Sequence, residues 1–281
     1  MRSRGLHEVQ QYRTNVPGVE ALSLRTVRQF PRHAHDQFGI GVINFGAHRS
    51  WSGLGWVEAG SGDTIMVNPG EMHDGRPLNG DARGWRMLYF EPHVVAEEHP
   101  EDTRAASLTL QPTVHDRRQA ALFGCLFRSI VDPQPDTLGR EECLLKLLVY
   151  AFRHHAIERP SIREAATPDV AKVVGLVEAA PEKAWTLAEM AAIAGCSRFQ
   201  ILRGFRQATG ATPHAYVVQG RVRRARRLLA EGRGPAEVSL EAGFADQSHM
   251  TRAFVRQIGV TPARYRSVVR GHRRAAISFK I

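Results

Sequence analysis

The chain repeats one pattern near its C-terminal end, and a repeat constrains architecture before any single residue does. Residues Leu187–Val217 and Pro235–Arg266 align Gly195 with Gly243, Phe205 with Phe254, Gly210 with Gly259, Thr212 and Pro213 with Thr261 and Pro262, and Tyr216 with Tyr265. Each copy reads as helix, tight turn, helix. In the first, Thr186 and Glu189 have capping-box spacing, Leu187, Met190, Ala191 and Ala194 make an apolar face, and Gly195 stands where a helix stops on a left-handed residue. Ser197 and Gln200 repeat the capping pattern, and Ile201, Gly204, Phe205 and Ala208 share one face of the helix that follows. In the second copy Asp246 is the expected N-cap, with Met250, Ala253, Phe254 and Ile258 as the buried stripe. The short turn between the helices of each pair has helix-turn-helix length.

A helix of this kind buries one face and presents the other, and the presented face can meet base edges in a DNA major groove. In the second copy that face carries Gln247, Ser248, Thr251, Arg252 and Val255; in the first it carries Phe199, Leu202, Arg203 and Arg206. Arg pairs bidentately with guanine and Gln with adenine, while Thr, Phe and Leu can contact the thymine methyl. The candidate DNA-binding residues are therefore Phe199, Leu202, Arg203 and Arg206 together with Gln247, Ser248, Thr251 and Arg252.

These residues carry a resemblance. The string GFADQSHMTRAFVRQIGVTPARYR over Gly243–Arg266 is similar to the signature of the AraC/XylS family of bacterial transcription regulators. Gln219–Gly232 resembles that family's linker helix, with Val222, Ala225 and Leu229 inward and Arg221, Arg223, Arg224, Arg226 and Arg227 largely outward. Gly204 departs from the pattern, standing where the family usually has a larger apolar residue, and is expected to loosen the core of the first motif.

Charge supports the same division. The net charge is +10, but from residue 157 onward there are 21 Lys and Arg against 10 Asp and Glu, and before it 17 against 18. A basic field attracts phosphate without reading sequence. With 43% hydrophobic and 23% charged residues the composition is that of a soluble globular chain long enough for two domains. No apolar run reaches spanning length and the first residues lack the apolar core of a signal peptide, so a cytoplasmic protein is expected, without a membrane partner. Cys125, Cys143 and Cys196 each sit singly in a helical pattern, and a disulfide framework is not expected.

Residues 20 to 112 alternate like strands, most clearly at Gln37–Phe45, Asp63–Asn68 and Trp85–Glu91, with Gly-rich turns that suggest a small barrel or jelly roll. Phe30–Ala47 and Gly62–Arg76 resemble the two motifs of the cupin-like effector domain found upstream of the DNA-binding domain in that family. His33 and His35 have His-x-His spacing and His73 follows where the second motif places its histidine. Three imidazoles can hold Zn or Fe with an open position. The glutamate expected after His35 is absent, and the reading is effector contact through His33, His35, His73, Trp56 and Tyr89, with no metal and no cofactor. Trp51 supplies further aromatic surface, and Asp36, Glu71 and Arg86 could orient a polar ligand.

Two amphipathic helices follow, Asp116–Val131 and Leu138–Ala156, separated by a Pro-containing breaker at Asp132–Asp136. Leu144, Leu145, Leu147, Leu148, Ala151 and Phe152 make the second broader on its apolar side than one barrel face requires, which suggests a homodimer. The expected architecture is an α+β two-domain chain. Residues 1–156 form a cupin-like β-barrel or jelly roll with dimerisation helices, 157–168 a linker, and 169–281 an all-α domain with two helix-turn-helix motifs. The expected function is a sequence-specific DNA-binding transcriptional regulator, not an enzyme, controlled by a small-molecule effector; its partners are double-stranded operator DNA, the effector, a second copy and RNA polymerase. The alternatives are a metal-dependent cupin enzyme fused to a DNA-binding domain and a constitutive DNA-binding protein without an effector.

Overall fold

The structure, a computed structural model, describes residues 6–14, 16–97, 108–132, 137–158 and 167–276. The breaker at 133–136 and most of the expected linker, 159–166, lie outside the described residues. The described residues fall into two compact units, one ending at residue 158 and one running from 167 to 270. The first is β-rich and the second wholly helical.

Among its described residues the first unit has twelve strands: β1 His7–Tyr12, β2 Val19–Thr26, β3 Phe30–His33, β4 Phe38–Phe45, β5 His48–Ser52, β6 Gly55–Ala59, β7 Thr64–Val67, β8 His73–Pro77, β9 Arg83–Phe90, β10 Leu108–Leu110, β11 Thr113–Val114 and β12 Ala156–Glu158. They make a six-stranded sheet in the order β1-β2-β9-β4-β7-β11, a four-stranded sheet β3-β8-β5-β6 and the pair β10-β12. Ile157 and Glu158, which the sequence reading assigns to the linker, pair with Thr109 and Leu108 instead. Its described α-helices are α1 Pro92–Glu97, α2 Arg117–Val131 and α3 Thr137–His155.

The two-residue period of a strand sorts the six-stranded sheet into two faces. Ile40, Leu88 and Phe90 pack with Phe123, Leu126, Phe127 and Ile130 of α2 and with Leu144, Leu147, Leu148, Ala151 and Phe152 of α3. Ile43, Trp85 and Met87 point the other way, with Val67 and Tyr89 packed against them. The helices therefore lie on one side of the sheet, and the second face lines the barrel interior. Asp116 caps α2 by accepting from the backbone N–H groups of Arg118 and Gln119, and its other carboxylate oxygen meets Tyr150 and His155 of α3 at 3.1 and 2.9 Å. One carboxylate thus fixes the start of α2 against the end of α3.

One expectation changes here. The apolar face of α3 is largely consumed by its own sheet and α2, and of its expected surplus only Leu145 stays exposed, as does Leu138 at the start of the helix. Cys125 and Cys143, each single in its own helix, face each other across α2 and α3 as free cysteines with sulfurs 2.6 Å apart.

The helical unit contains α4 Pro168–Ala179, α5 Leu187–Ile193, α6 Arg198–Thr209, α7 Pro213–Ala230, α8 Pro235–Glu241, α9 Gln247–Ile258 and α10 Pro262–Ala276. The helix α7 runs between the two helix pairs α5/α6 and α8/α9. Its buried side holds Val222, Ala225 and Leu229 as expected, but Arg226 is buried as well. Among the described residues no helix is long and apolar enough to cross a membrane.

Candidate functional site

The helical unit presents two matched surfaces. Thr186 accepts from the N–H of Glu189 at the start of α5, and Ser197 with Gln200 forms a reciprocal capping box at the start of α6. Asp246 accepts from the N–H of His249 at the start of α9. Both first helices end on a left-handed glycine, Gly195 at φ 60° and Gly243 at φ 82°. Each then closes with the bond expected one residue later, Cys196 N–H to Ala191 O at 3.0 Å and Phe244 N–H to Ser239 O at 2.9 Å. Beneath the second helices the same ring pair repeats: Phe205 meets Tyr216 and Phe254 meets Tyr265, both with centroids 5.6 Å apart.

On α6, Ile201, Phe205 and Thr209 are buried, while Phe199, Arg203 and Arg206 are exposed and Leu202 is half-buried. On α9, Met250 and Phe254 are buried, Gln247, Ser248 and Arg252 exposed, and Thr251 half-buried. All eight candidate reading residues thus lie off the buried stripes. Phe199 is 71% exposed, a cost in water that a base or methyl contact would relieve.

The α7 arginines behave less uniformly than their spacing suggests. Arg221 donates to the carbonyls of Pro181 and Lys183, and Arg224 to that of Glu241, with the carboxylates of Glu241 and Glu182 at 3.6 and 3.8 Å. They fasten α7 to its neighbours instead of standing free as a basic strip. Gly204 also has a structural reason. A Cβ there would come 2.8 Å from Cγ2 of Val170, so the missing side chain lets α4 pack closely on α6. The first motif's core is filled from outside and not loosened.

In the barrel, strand register assembles the histidines. His33 and His73 are directly paired across β3 and β8, and His35, two residues on, shares the face of His33 and bridges to Pro69. Ring centroids are 4.5 Å apart for His33 and His73, 4.9 Å for His33 and His35, and 5.1 Å for His35 and His73. Tyr89, on the interior face of β9, lies against His35 with ring centroids 5.0 Å apart and the rings tilted by 50°. Burial pushes His33 down to about 3, with nearby His73 adding to the shift, and burial pushes His73 down to about 4, so both rings are neutral at pH 7. One potential ligand atom from each ring falls within 4.8 Å of the others, a spacing open to a metal ion as well as to an effector.

Other candidates lie elsewhere. Trp56 is 48% exposed, with the guanidinium groups of Arg49 and Arg76 over its ring at 5.0 and 4.5 Å, and it does not join the histidines. Trp51 is its cross-strand partner and stacks under Arg32 at 3.7 Å. Arg86 points to the helix side, 5.4 Å from the ring of Phe127. Glu71 accepts from Asn68 Nδ2 at 2.7 Å and from Gly53 N–H at 3.2 Å.

Sequence reasoning missed Arg83 and His48. Arg83 is fully buried beside Trp85 and donates from Nε to His48 Nδ1 at 3.0 Å and from Nη1 to the Arg28 carbonyl at 2.9 Å. Burial, then the Arg83 charge, hold His48 down at about 3, and burial lowers Arg83 to about 10. The available signal was parity, because Arg83 shares the interior face of β9 with Trp85, Met87 and Tyr89.

Residues 16–148 match the AraC-like ligand binding domain and residues 190–267 match a helix-turn-helix domain. The uncharacterized HTH-type transcriptional regulator YbfI of Bacillus subtilis strain 168 is 27% identical over 235 residues, which is 83% of this chain and 86% of that protein. The crystal structure of ToxT from Vibrio cholerae O395 shares the fold, with a TM-score of 0.53 at 11% identity over 96% of this chain and 100% of that one. ToxT from strain SCE256 with an unsaturated fatty acid bound gives a TM-score of 0.51 at 13% identity, covering 96% of this chain and 97% of that one.

Proposed function

Because this chain belongs to the AraC/XylS family of transcription regulators, we propose that α6 and α9 are its two operator-reading heads and that the barrel interior takes the effector that controls them. The observation that carries this reading is the matched construction of the two heads. Each is capped by a side chain, preceded by a left-handed glycine turn and locked below by the same Phe–Tyr contact. Such a device holds an outward face rigidly, and rigidity is what base readout requires. Phe199, Leu202, Arg203 and Arg206 would read one segment, and Gln247, Ser248, Thr251 and Arg252 the other. The 18 residues of α7 span about 27 Å at 1.5 Å per residue, suited to heads entering successive major grooves about 34 Å apart.

In the barrel, the effector would contact His33, His35, His73 and Tyr89; Trp56, on the outer face, leaves the expected set. Met87 lies over Gly39 and Gly41, where a Cβ would come within 2.7 and 2.4 Å of its thioether end. An unbranched thioether re-packs readily, so an effector could displace it. The switch would be a shift in the balance of domain arrangements, which requires that effector and operator each bind one arrangement better. The protein acts in this reading as a cytoplasmic homodimer joined through α2 and α3, contacting RNA polymerase at its operator and catalysing no reaction.

The test is an operator series bound by the full chain in mobility-shift titrations. Inserting half a helical turn of DNA between the two contacted segments should abolish tight binding. Unchanged affinity would mean that one motif alone reads DNA.

A further inference from the structure

Cys125 on α2 and Cys143 on α3 are free thiols, each half-buried, with their sulfurs 2.6 Å apart. The packing around them holds that contact. Phe123, Leu126 and Phe127 beside Cys125 share one core with Leu144, Leu147 and Leu148 beside Cys143, and Cys143 itself packs against that core. Asp116 ties the start of α2 to the end of α3, so the helices are fixed on each other while both sulfurs stay open to a small solute. A disulfide places its sulfurs about 2.05 Å apart, so a closure of about half an ångström makes the bond. Reactive cysteines are partly exposed and lie near a cation, whereas fully buried ones are inert. The exposed ammonium of Lys146, one turn along α3 from Cys143, favours the thiolate at both sulfurs, and its ion-pair partner Glu142 opposes it at Cys143.

We propose that Cys125 and Cys143 are a redox modification site, which a peroxide-class oxidant closes into an intrachain disulfide clamping α2 to α3 and a dithiol reopens. In the first step the Cys125 thiolate attacks a peroxide oxygen, the O–O bond breaks, hydroxide leaves and a sulfenic acid remains. The Cys143 thiolate then attacks the Cys125 sulfur, the S–S bond forms, the S–O bond breaks and a second hydroxide leaves. The two thiol protons turn both hydroxides into water. Two thiols have then lost two electrons, and one hydrogen peroxide has taken them. The order follows from the contact. Burial, then the hydrogen bond to Cys125 and the charge there, push the Cys143 thiol up to about 11, so Cys143 holds its proton and donates it toward the Cys125 sulfur. Once Cys125 carries oxygen its charge is gone, and Cys143 can ionise beside Lys146. The bond links residues 18 apart and so restricts the unfolded chain as well as tying the helices. In a reducing compartment such a bond is transient and reports oxidant. The inference rests on neither the operator reading nor the effector reading above.

The test uses the full chain, reduced, freed of reductant, exposed to equimolar hydrogen peroxide, quenched with an alkylating reagent and weighed. The reduced chain should take three alkyl groups, at Cys125, Cys143 and Cys196. The oxidised chain should take one, at Cys196, and dithiothreitol should restore the other two. Fragment mapping should join Cys125 to Cys143 within a single chain. Three alkyl groups after peroxide overturn the site, as does a bond that uses Cys196 or joins two chains. Cys143→Ser should trap Cys125 as a sulfenic acid that dimedone labels, while Cys125→Ser should leave Cys143 open to alkylation at the same dose. Dimedone on Cys143 and none on Cys125 overturns the order of the steps, and the mapping in wild type decides the site by itself if either variant fails to fold. Oxidised wild type should melt above reduced wild type, with no such rise in Cys143→Ser. Equal melting overturns the clamp and leaves the bond. Operator titrations on the reduced chain keep the outcomes distinct, because operator binding by a chain that forms no disulfide overturns this inference and leaves the regulator intact.

Discussion

The two helix-turn-helix motifs turn on the same bonds and are braced by different neighbours. Around the first, α4 lies against α6 with Val170 filling the space above Gly204, and the Cβ direction at Gly195 is open. Around the second, the turn itself is pressed on another segment: a Cβ at Gly243 would lie 2.5 Å from the Glu182 carbonyl oxygen and 2.6 Å from its Cα. Arg224 and Arg233 then hold α8, the latter pairing with Glu237 and Glu241. The duplicated residues thus specify the motif, and residues outside the duplication decide how much change each copy tolerates.

The largest effect should separate the two turns. Gly195→Ala places an alanine at positive φ and should cost about 1–2 kcal/mol. Gly243→Ala adds collision with backbone that cannot rotate away, and should cost about 2–5 kcal/mol in all. Urea melts of the two variants against wild type decide it. Equal losses would mean that the Glu182 segment yields and that the two turns are equivalent.

The next comparison concerns what the heads read. Arg252→Ala should weaken operator binding by about 1–3 kcal/mol and relax preference at one base pair, since Arg252 is exposed among Gln247, Ser248 and Thr251. Arg203→Ala should cost less in discrimination, because its neighbours Phe199 and Leu202 offer apolar contact in place of a second hydrogen-bonding side chain. Competition between operator and random DNA measures both. If Arg252→Ala weakens both DNAs alike, the second motif grips backbone and does not read bases.

Local chemistry was legible in the sequence, and packing between distant segments was not. Caps and turns depend on residues three or four apart, which is why Thr186, Ser197, Asp246, Gly195 and Gly243 stand where they were expected. His33 and His35 were readable from their shared strand face, and His73 from its place after Asn68, Pro69 and Gly70. Trp56 was misplaced because side-chain direction in a five-residue strand depends on which end is buried; Ala59 is the inward residue, which puts Trp56 outside with Glu58. Arg226 is buried because α7 is packed by helix pairs on more than one side, a fact that no heptad count within α7 contains. The Cys125–Cys143 approach likewise needs the α2–α3 register, and spacing along one chain cannot supply it.

Gly204 allows a sharper test of bracing. Glycine inside a helix costs about 1 kcal/mol relative to alanine, but a Cβ here meets Val170 Cγ2 at 2.8 Å. Gly204→Ala alone should therefore change stability little, gain and crowding offsetting one another. In a Val170→Ala background the crowding disappears, and the same substitution should stabilise by about 0.5–1 kcal/mol. A full double-mutant cycle in urea measures the coupling. Additive effects would mean that α4 does not brace α6 through this contact.

The smallest difference lies at the helix starts. Thr186 caps α5 through its side chain, whereas Gly234, the residue before α8, has no side chain to offer the corresponding N–H. Gly234 sits at φ −72° and ψ 144°, which any residue adopts, and nothing lies within 4 Å of a Cβ built on it. A hydroxyl could therefore be installed without strain. Gly234→Ser should stabilise the chain by a few tenths of a kcal/mol, while Thr186→Gly should lose a similar amount, since glycine ranks only slightly below Ser and Thr at this position. Thermal melts of the two variants and their combination should show opposite shifts that nearly cancel. A loss on Gly234→Ser would locate the second motif's tolerance elsewhere: the α7–α8 connection would then need the flexibility of glycine itself, and the missing cap would be a requirement of the turn and not an omission from the repeat.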